Sequence, residues 1–298
     1  MSQLVQIDRC FEVAPAVRKS NLNWQLLALA VPTVWLYYSI LSHLVVEWWK
    51  DPNFSHGFIV LIFSLYLVLR DRSQLQILPR KPSWWGLVIV AFAMGVLMVG
   101  VLGAEPFLSR VSLLFLTLGF LVLFAGWKYS RALFFPWAFL LLTIPIPAIV
   151  MNQITMPLQI LASQIAAEIL PWLGVPVLRE GNIINLPAMP LEVAEACSGI
   201  RSIIALAALA IIYGQFRERS RSIRLLLVFA TLPLAVLANS LRIVGTGLLV
   251  QYWGPDKAEG FFHSFSGWFI FLLSLAMLFG LHKWLVWGQG MTEARNAG

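Results

Sequence analysis

Residues 84–104 read WWGLVIVAFAMGVLMVGVLGA, twenty-one positions without a charged side chain. At about 1.5 Å of rise per residue, a helix of that length matches the ~30 Å hydrocarbon core of a bilayer. The run has no apolar–polar alternation of the kind a barrel strand carries, so it reads as a transmembrane helix. Seven further runs qualify or come close, near 25–46, 56–70, 107–127, 132–150, 198–215, 225–246 and 264–286. The runs at 56–70 and 198–215 are short and need neighbouring protein to shelter them. The whole chain agrees: 59% hydrophobic and 12% charged residues, with a mean hydropathy of +0.80, against about 25% charged in a soluble domain. The expected fold is an all-α polytopic membrane protein, a bundle of about eight transmembrane helices.

The net charge of +7 would suit nucleic acid if it were clustered, but its distribution points to topology, and no nucleic-acid partner is expected. With the N-terminus cytoplasmic, the inner segments hold Arg9, Arg18, Lys19, Arg70, Arg72, Arg80, Lys81, Lys128, Arg131, Arg217, Arg219, Arg221, Arg224, Lys283 and Arg295, fifteen cations. The outer segments hold four, Lys50, Arg110, Arg179 and Lys257. That imbalance orients the bundle with both termini inside. The expected organisation is a cytoplasmic tail at 1–24, a single bundle at 25–286 and a cytoplasmic tail at 287–298. The N-terminal tail has no short apolar core with a small-residue cleavage site, so the first span serves as the membrane signal.

Residues 151–195 do not fit a simple span. NQITMPLQILASQIAAEILPWLG has helical apolar spacing interrupted by Asn152, Gln153, Gln159, Ser163, Gln164 and Glu168, which predicts an amphipathic or re-entrant helix on the outer face. VPVLREGNIINLPAMPLEVAEA follows, with a Glu-Gly-Asn turn signal at 180–182 between β-prone stretches. It reads as a small β-hairpin or meander, or as an ordered loop; Gly181 and Asn182 are turn residues.

Three chemically capable side chains fall at one membrane level. Cys197, one of two cysteines, stands at the outer start of the sixth run in EACSGIRS. A helix N-terminus there stabilises a thiolate, Ser198 suits the N-cap, and Arg201 follows one turn later. Arg242, in ANSLRIVGTG, lies within a turn of the outer boundary, with Asn239 on the same face and Gly245 and Gly247 allowing close helix approach. A cation inside a span is costly enough to mark function, although snorkelling to the headgroups is its bland explanation. His263 opens the eighth run in EGFFHSFSGWFIF. His43 and His56 also fall on the outer side, so the acid–base assignment stays open among the three; His282 is on the inner side. Cys10 lies in a polar tail with none of this context. Two distant cysteines make neither a disulfide framework nor a zinc cluster of recognisable spacing. No metal or cofactor is expected. A thiol, a guanidinium and an imidazole allow acyl transfer: thiolate attack on a peptide carbonyl, protonation of the leaving amine, and stabilisation of the oxyanion.

ACSGIRS at 196–202, NSLRI at 239–243, FHSFSGWFIF at 262–271 and DPNFSHGF at 51–58, in that set of positions along the chain, resemble the exosortases, with archaeosortases as relatives. The resemblance implies a membrane-embedded cysteine protease or transpeptidase. Its partners would be secreted precursors bearing a C-terminal tag of the Pro-Glu-Pro type, a transmembrane helix and a basic tail. Carried over by position, the catalytic set is Cys197, Arg242 and His263; a histidine at 263 matches the bacterial branch. The implied location is the bacterial inner membrane, multi-pass, with the site facing the periplasm. Ser55, His56 and Gly57 are expected to line or support the site, and Ser198, Arg201 and Asn239 to support it or contact substrate. The rival enzyme reading is an acyl or glycosyl transferase of envelope polysaccharide assembly that does not use Cys197. A transporter would show repeats and midplane ionisable groups; the chain has no internal repeat and its polar groups gather at one face.

Overall fold

Apolar residues with a polar stripe of Thr231, Asn239 and Ser240 make a long buried face, and a helix of 33 residues, Arg221–Trp253, carries it. In a computed structural model, residues 20–51, 54–193, 200–254 and 261–296 are described, with backbone alone at 20–27, 192, 200–202, 261–266 and 289–296. The chain divides into two units, Met1–Leu44 and Val45–Gly298. The described part of the first is helical, within α1 (Ser20–Lys50).

The second unit runs from the end of α1 through α2 (His56–Arg70), α3 (Arg72–Ile77), α4 (Trp85–Leu102), α5 (Pro106–Phe124), α6 (Trp127–Ala132), α7 (Phe134–Phe139) and a 3₁₀ turn, Leu140–Thr143. Then come α8 (Ala148–Trp172), strands β1 (Leu178–Glu180), β2 (Ile183–Asn185) and β3 (Pro190–Glu192), and helices α9 (Ile200–Arg217), α10 (Arg221–Trp253) and α11 (Phe261–Asn296). Among the described residues five helices are long and apolar enough to cross a membrane: Ala28–Lys50, Trp85–Leu102, Pro106–Phe124, Arg221–Trp253 and Gly267–Gly288. The pair Phe134–Thr143 and Ala148–Trp172, bent by 84°, makes a sixth if taken as one broken span, and His56–Arg70 and Ile203–Arg217 are shorter apolar helices. The chain is an all-α polytopic membrane protein with a small sheet.

α4 and α5 form a close hairpin. Gly86 lies against the backbone of Leu123 and Gly119 against Val90, so a side chain on either glycine would meet the other helix. The expected single helix near 132–150 is corrected. Pro136 is accommodated in the first turn of α7, but Pro145 and Pro147 cannot donate to the preceding turn and end the helix at the 3₁₀ segment. The chain restarts as α8 at Ala148.

α8 buries Thr155, Gln159, Ala162, Ser163, Ala166 and Leu170, one stripe at helical spacing. Its polar residues Gln159 and Ser163 thus point into protein, which explains why the sequence looked only weakly apolar. The hairpin expected at 180–182 is present and extends to a three-stranded antiparallel meander. Glu180 pairs with Ile183, leaving Gly181-Asn182 as a two-residue turn, and Gly181 takes φ +64° where a Cβ would be strained.

α10 packs against α8, α9 and α11. One core joins Ala162, Ala166 and Leu170 of α8, Ile184 and Val193 of the sheet region, and Val236, Ile243, Val244 and Val250 of α10. A second core joins Leu206 and Ala210 of α9, Ile223 and Leu227 of α10, and Leu278 of α11. Gly247 lets α8 approach, since a Cβ there would lie 3.1 Å from Leu170 Cδ2; Gly245 faces open space.

Candidate active site

Arg242 sits about two thirds of the way along α10, beside the buried Ile243. Ile243 and Val244 fill the core shared with α8 and the sheet, while Asn239, one turn back, is buried. The Arg242 side chain is half-buried and turns to the last helix: a methyl group added at Gly267 would lie 4.0 Å from Arg242 Nη2. Gly267 follows His263 by four residues within α11, so the two positions share a helix face one turn apart. The guanidinium therefore reaches the face of α11 that carries position 263.

Cys197 and Ser198 lie outside the described residues, but the chain on either side of them is fixed. Val193, four residues before the cysteine, is fully buried in the core that holds Ile243 and Val244. Its N–H donates to Asn182 O at 2.9 Å, and its carbonyl accepts a longer contact from Asn182 Nδ2 at 3.4 Å. Ser163 Oγ donates to Gly181 O at 3.0 Å, which nails the same turn to α8. Three residues after the cysteine, Ile200 starts α9. The described chain thus stops at Val193 in the core and resumes at Ile200 in α9.

α9 and α10 are joined by Glu218–Ser220 only. Equal counts from Arg219 bring Ile200 level with Ala238, about one turn before Arg242 along α10. Asn182, read from the sequence as a turn residue, thus has a second task, which only its pairing with Val193 reveals.

Of the supporting candidates, Arg201 and His263 are placed by backbone, both in the opening turn of a helix. Ser55 occupies the N-cap position of α2 and is exposed. His56 is half-buried, with Nε2 3.1 Å from Leu142 O of the 3₁₀ turn. Gly57 is buried because the Trp48 indole covers it; an added Cβ would meet Trp48 Cε2 and Nε1 at 2.6 Å. The Trp48 indole N–H donates to Thr143 O at 3.0 Å. Within the DPNFSHGF stretch His56 therefore meets the break before α8, while Pro52 and Asn53 lie outside the described residues.

Sequence reasoning missed Trp48 and Gly267. A tryptophan in a membrane protein carries no special signal, and a glycine shows its use only when the facing helix is known. It also missed the ion pair between Arg110 Nη2 and Glu47 Oε2, 2.6 Å apart, which ties the end of α1 to α5.

A family model described as transmembrane exosortase (Exosortase_EpsH) matches residues 48–280. No curated protein and no solved structure matches the chain. The matched region covers most of the chain, from Trp48 through α9 and α10 into α11. The polytopic helical fold and this match agree, and the chain belongs to the transmembrane exosortase family.

Proposed function

We propose that this membrane exosortase is a cysteine peptidase or transpeptidase that cleaves the C-terminal sorting signal of secreted precursors at the outer face of the bacterial inner membrane. The bundle has eight spans: the five long helices, the bent pair, α2 and α9. Both termini are cytoplasmic, and the outer ends of α9, α10 and α11 form the site. The observation that carries this reading is the reach of Arg242 to Gly267, one turn from His263, within the family-matched region.

In the proposed reaction the Cys197 thiolate attacks the scissile carbonyl and a C–S bond forms. The developing oxyanion is stabilised by the Arg242 guanidinium, which presents a fixed fork of donors. The C–N bond then breaks as His263 delivers a proton to the departing amine. The resulting thioester is resolved by water or by an amine. A precursor anchored by its own helix would approach laterally, so its cleavage point lies just outside the bilayer, level with these three residues. Asn239 supports Arg242, while Ser198 and Arg201 support the thiolate.

The test is co-expression with a tagged precursor of wild type, Cys197→Ser and Cys197→Ala, followed by mass analysis of the product. Wild type processes the precursor and both variants lose processing by about 10³-fold or more, as expected for loss of a nucleophile. The mass of the new C-terminus separates hydrolysis from transfer. Normal processing by both variants would remove the thioester mechanism.

A further inference from the structure

The helical segment that ends at Thr143 leaves its last carbonyls without the usual donors. In a continuing helix Thr143 O would accept from residue 147, but that residue is Pro147 and has no N–H. Leu142 O would accept from Ile146, which lies between two prolines beyond the 3₁₀ turn. Leu141 O is satisfied by Ile144 N–H at 3.2 Å, and Leu140 O by the Thr143 hydroxyl at 2.6 Å. The two remaining carbonyls receive side chains from elsewhere: Trp48 Nε1 at 3.0 Å on Thr143 O, and His56 Nε2 at 3.1 Å on Leu142 O. A carbonyl oxygen only accepts, so the contact requires a hydrogen on His56 Nε2.

The two donors are themselves locked together. Gly57, next to the histidine, admits the Trp48 ring, and Phe58 meets that ring edge-on at 5.2 Å. Ser64 of the same helix donates to Pro136 O at 2.8 Å, another carbonyl of the irregular segment. α2 thus satisfies the broken segment at both ends.

We propose that His56 is a positioning residue: with Trp48 it clamps successive carbonyls at the break between Thr143 and Ala148, and it does not act as the acid–base group of the reaction. The clamp sets where α8 starts. α8 then carries the clamp's position to the site, because Leu170 seats on Gly247 and the α8 core includes Ile243 and Val244 beside Arg242. The activity part of this proposal rests on the peptidase reading above; the structural part does not.

Two measurements test it. The first uses Ile144→Cys, a buried position at the break, in a Cys10→Ser, Cys197→Ala full-length protein in detergent, labelled with a water-soluble maleimide. Adding His56→Ala should raise the labelling rate about tenfold, since an unsatisfied half-buried carbonyl favours opening. Adding His56→Gln, whose amide can place an N–H near the Nε2 position, should restore slow labelling, and Trp48→Phe should raise it as His56→Ala does. The second is precursor processing against pH in proteins that keep Cys197. His56→Ala should lose about tenfold in rate, and His56→Gln should recover most of it with both limbs of the pH profile unmoved.

Labelling that stays slow in His56→Ala overturns the clamp. Processing lost equally in His56→Gln and His56→Ala, with a limb of the profile missing, overturns the positioning role and makes His56 an acid–base group. Failure of the Cys197 nucleophile would appear as normal processing by both Cys197 variants and would leave the labelling result standing.

Discussion

Arg242 and Gly267 face each other across two helices, and the space between them is small enough to test. An alanine at 267 would place its methyl 4.0 Å from Arg242 Nη2, an ordinary van der Waals contact. A leucine would extend into the volume the guanidinium occupies. Gly267→Ala should therefore process precursor within about threefold of wild type, whereas Gly267→Leu should fall about 10²-fold, near the cost of displacing one oxyanion donor. Arg242→Lys should fall comparably, because an ammonium cannot reproduce the planar fork. Normal rates in Gly267→Leu would mean that the guanidinium does not work from this position. Arg242 stood out in the sequence as a candidate because a cation in an apolar run is expensive. Gly267 was not, because its use is defined by what lies opposite, and Asn182 and Trp48 stayed hidden for the same reason. His56 was read as a site residue, and its described hydrogen bond goes to the backbone of the irregular segment.

At the scale of elements, α9 and α11 are tied at the end opposite the candidate site. Tyr213 Oη lies 2.8 Å from His282 Nδ1, and His282 Nε2 lies 3.2 Å from Glu218 Oε2. The other carboxylate oxygen of Glu218 accepts Ser220 N–H at 2.7 Å. That backbone N–H, opposed by partial burial and aided by His282, holds the Glu218 carboxyl below the usual glutamate range. A depressed carboxyl contributes stability that is present above its unfolded value and lost as the pH falls through its folded value. Glu218→Gln should therefore lower Tm at pH 7 by about 2–4 °C, on the order of one charge-assisted hydrogen bond in a chain of this size. The gap between wild type and variant should close as the pH falls through the folded carboxyl's range. A gap that persists unchanged into acid would show that the carboxylate charge contributes nothing and only the side chain's shape matters. The sequence placed His282 on the inner side and gave it no role, since Tyr213, Glu218 and His282 meet only after α9, α10 and α11 have packed.

For the whole molecule, the polytopic helical class was legible because the bilayer sets one length and one composition for every span, and five of the eight expected runs correspond to helices long and apolar enough to cross, six with the bent pair. What the runs could not convey is which are straight. The 132–150 run satisfies a hydropathy count but contains Pro136, Pro145 and Pro147, and the last two remove N–H donors the helix would need. Conversely, 151–172 looked too polar to be central because Gln159 and Ser163 are buried against protein, a distinction hydropathy cannot make. Orientation rests on the distribution of Lys and Arg, fifteen inside against four outside in the proposed topology. In Cys10→Ser, Cys197→Ala protein in intact cells, Glu180→Cys in the exposed end of β1 should label with a membrane-impermeant maleimide. Arg219→Cys, in the exposed turn between α9 and α10, should label only after permeabilisation. The reversed pattern would put Cys197, Arg242 and His263 at the cytoplasmic face. There a thiol enzyme would meet the reducing glutathione pool and never the exported part of a precursor. A reversed result would therefore remove the proposed substrate while leaving the family and the fold as they are.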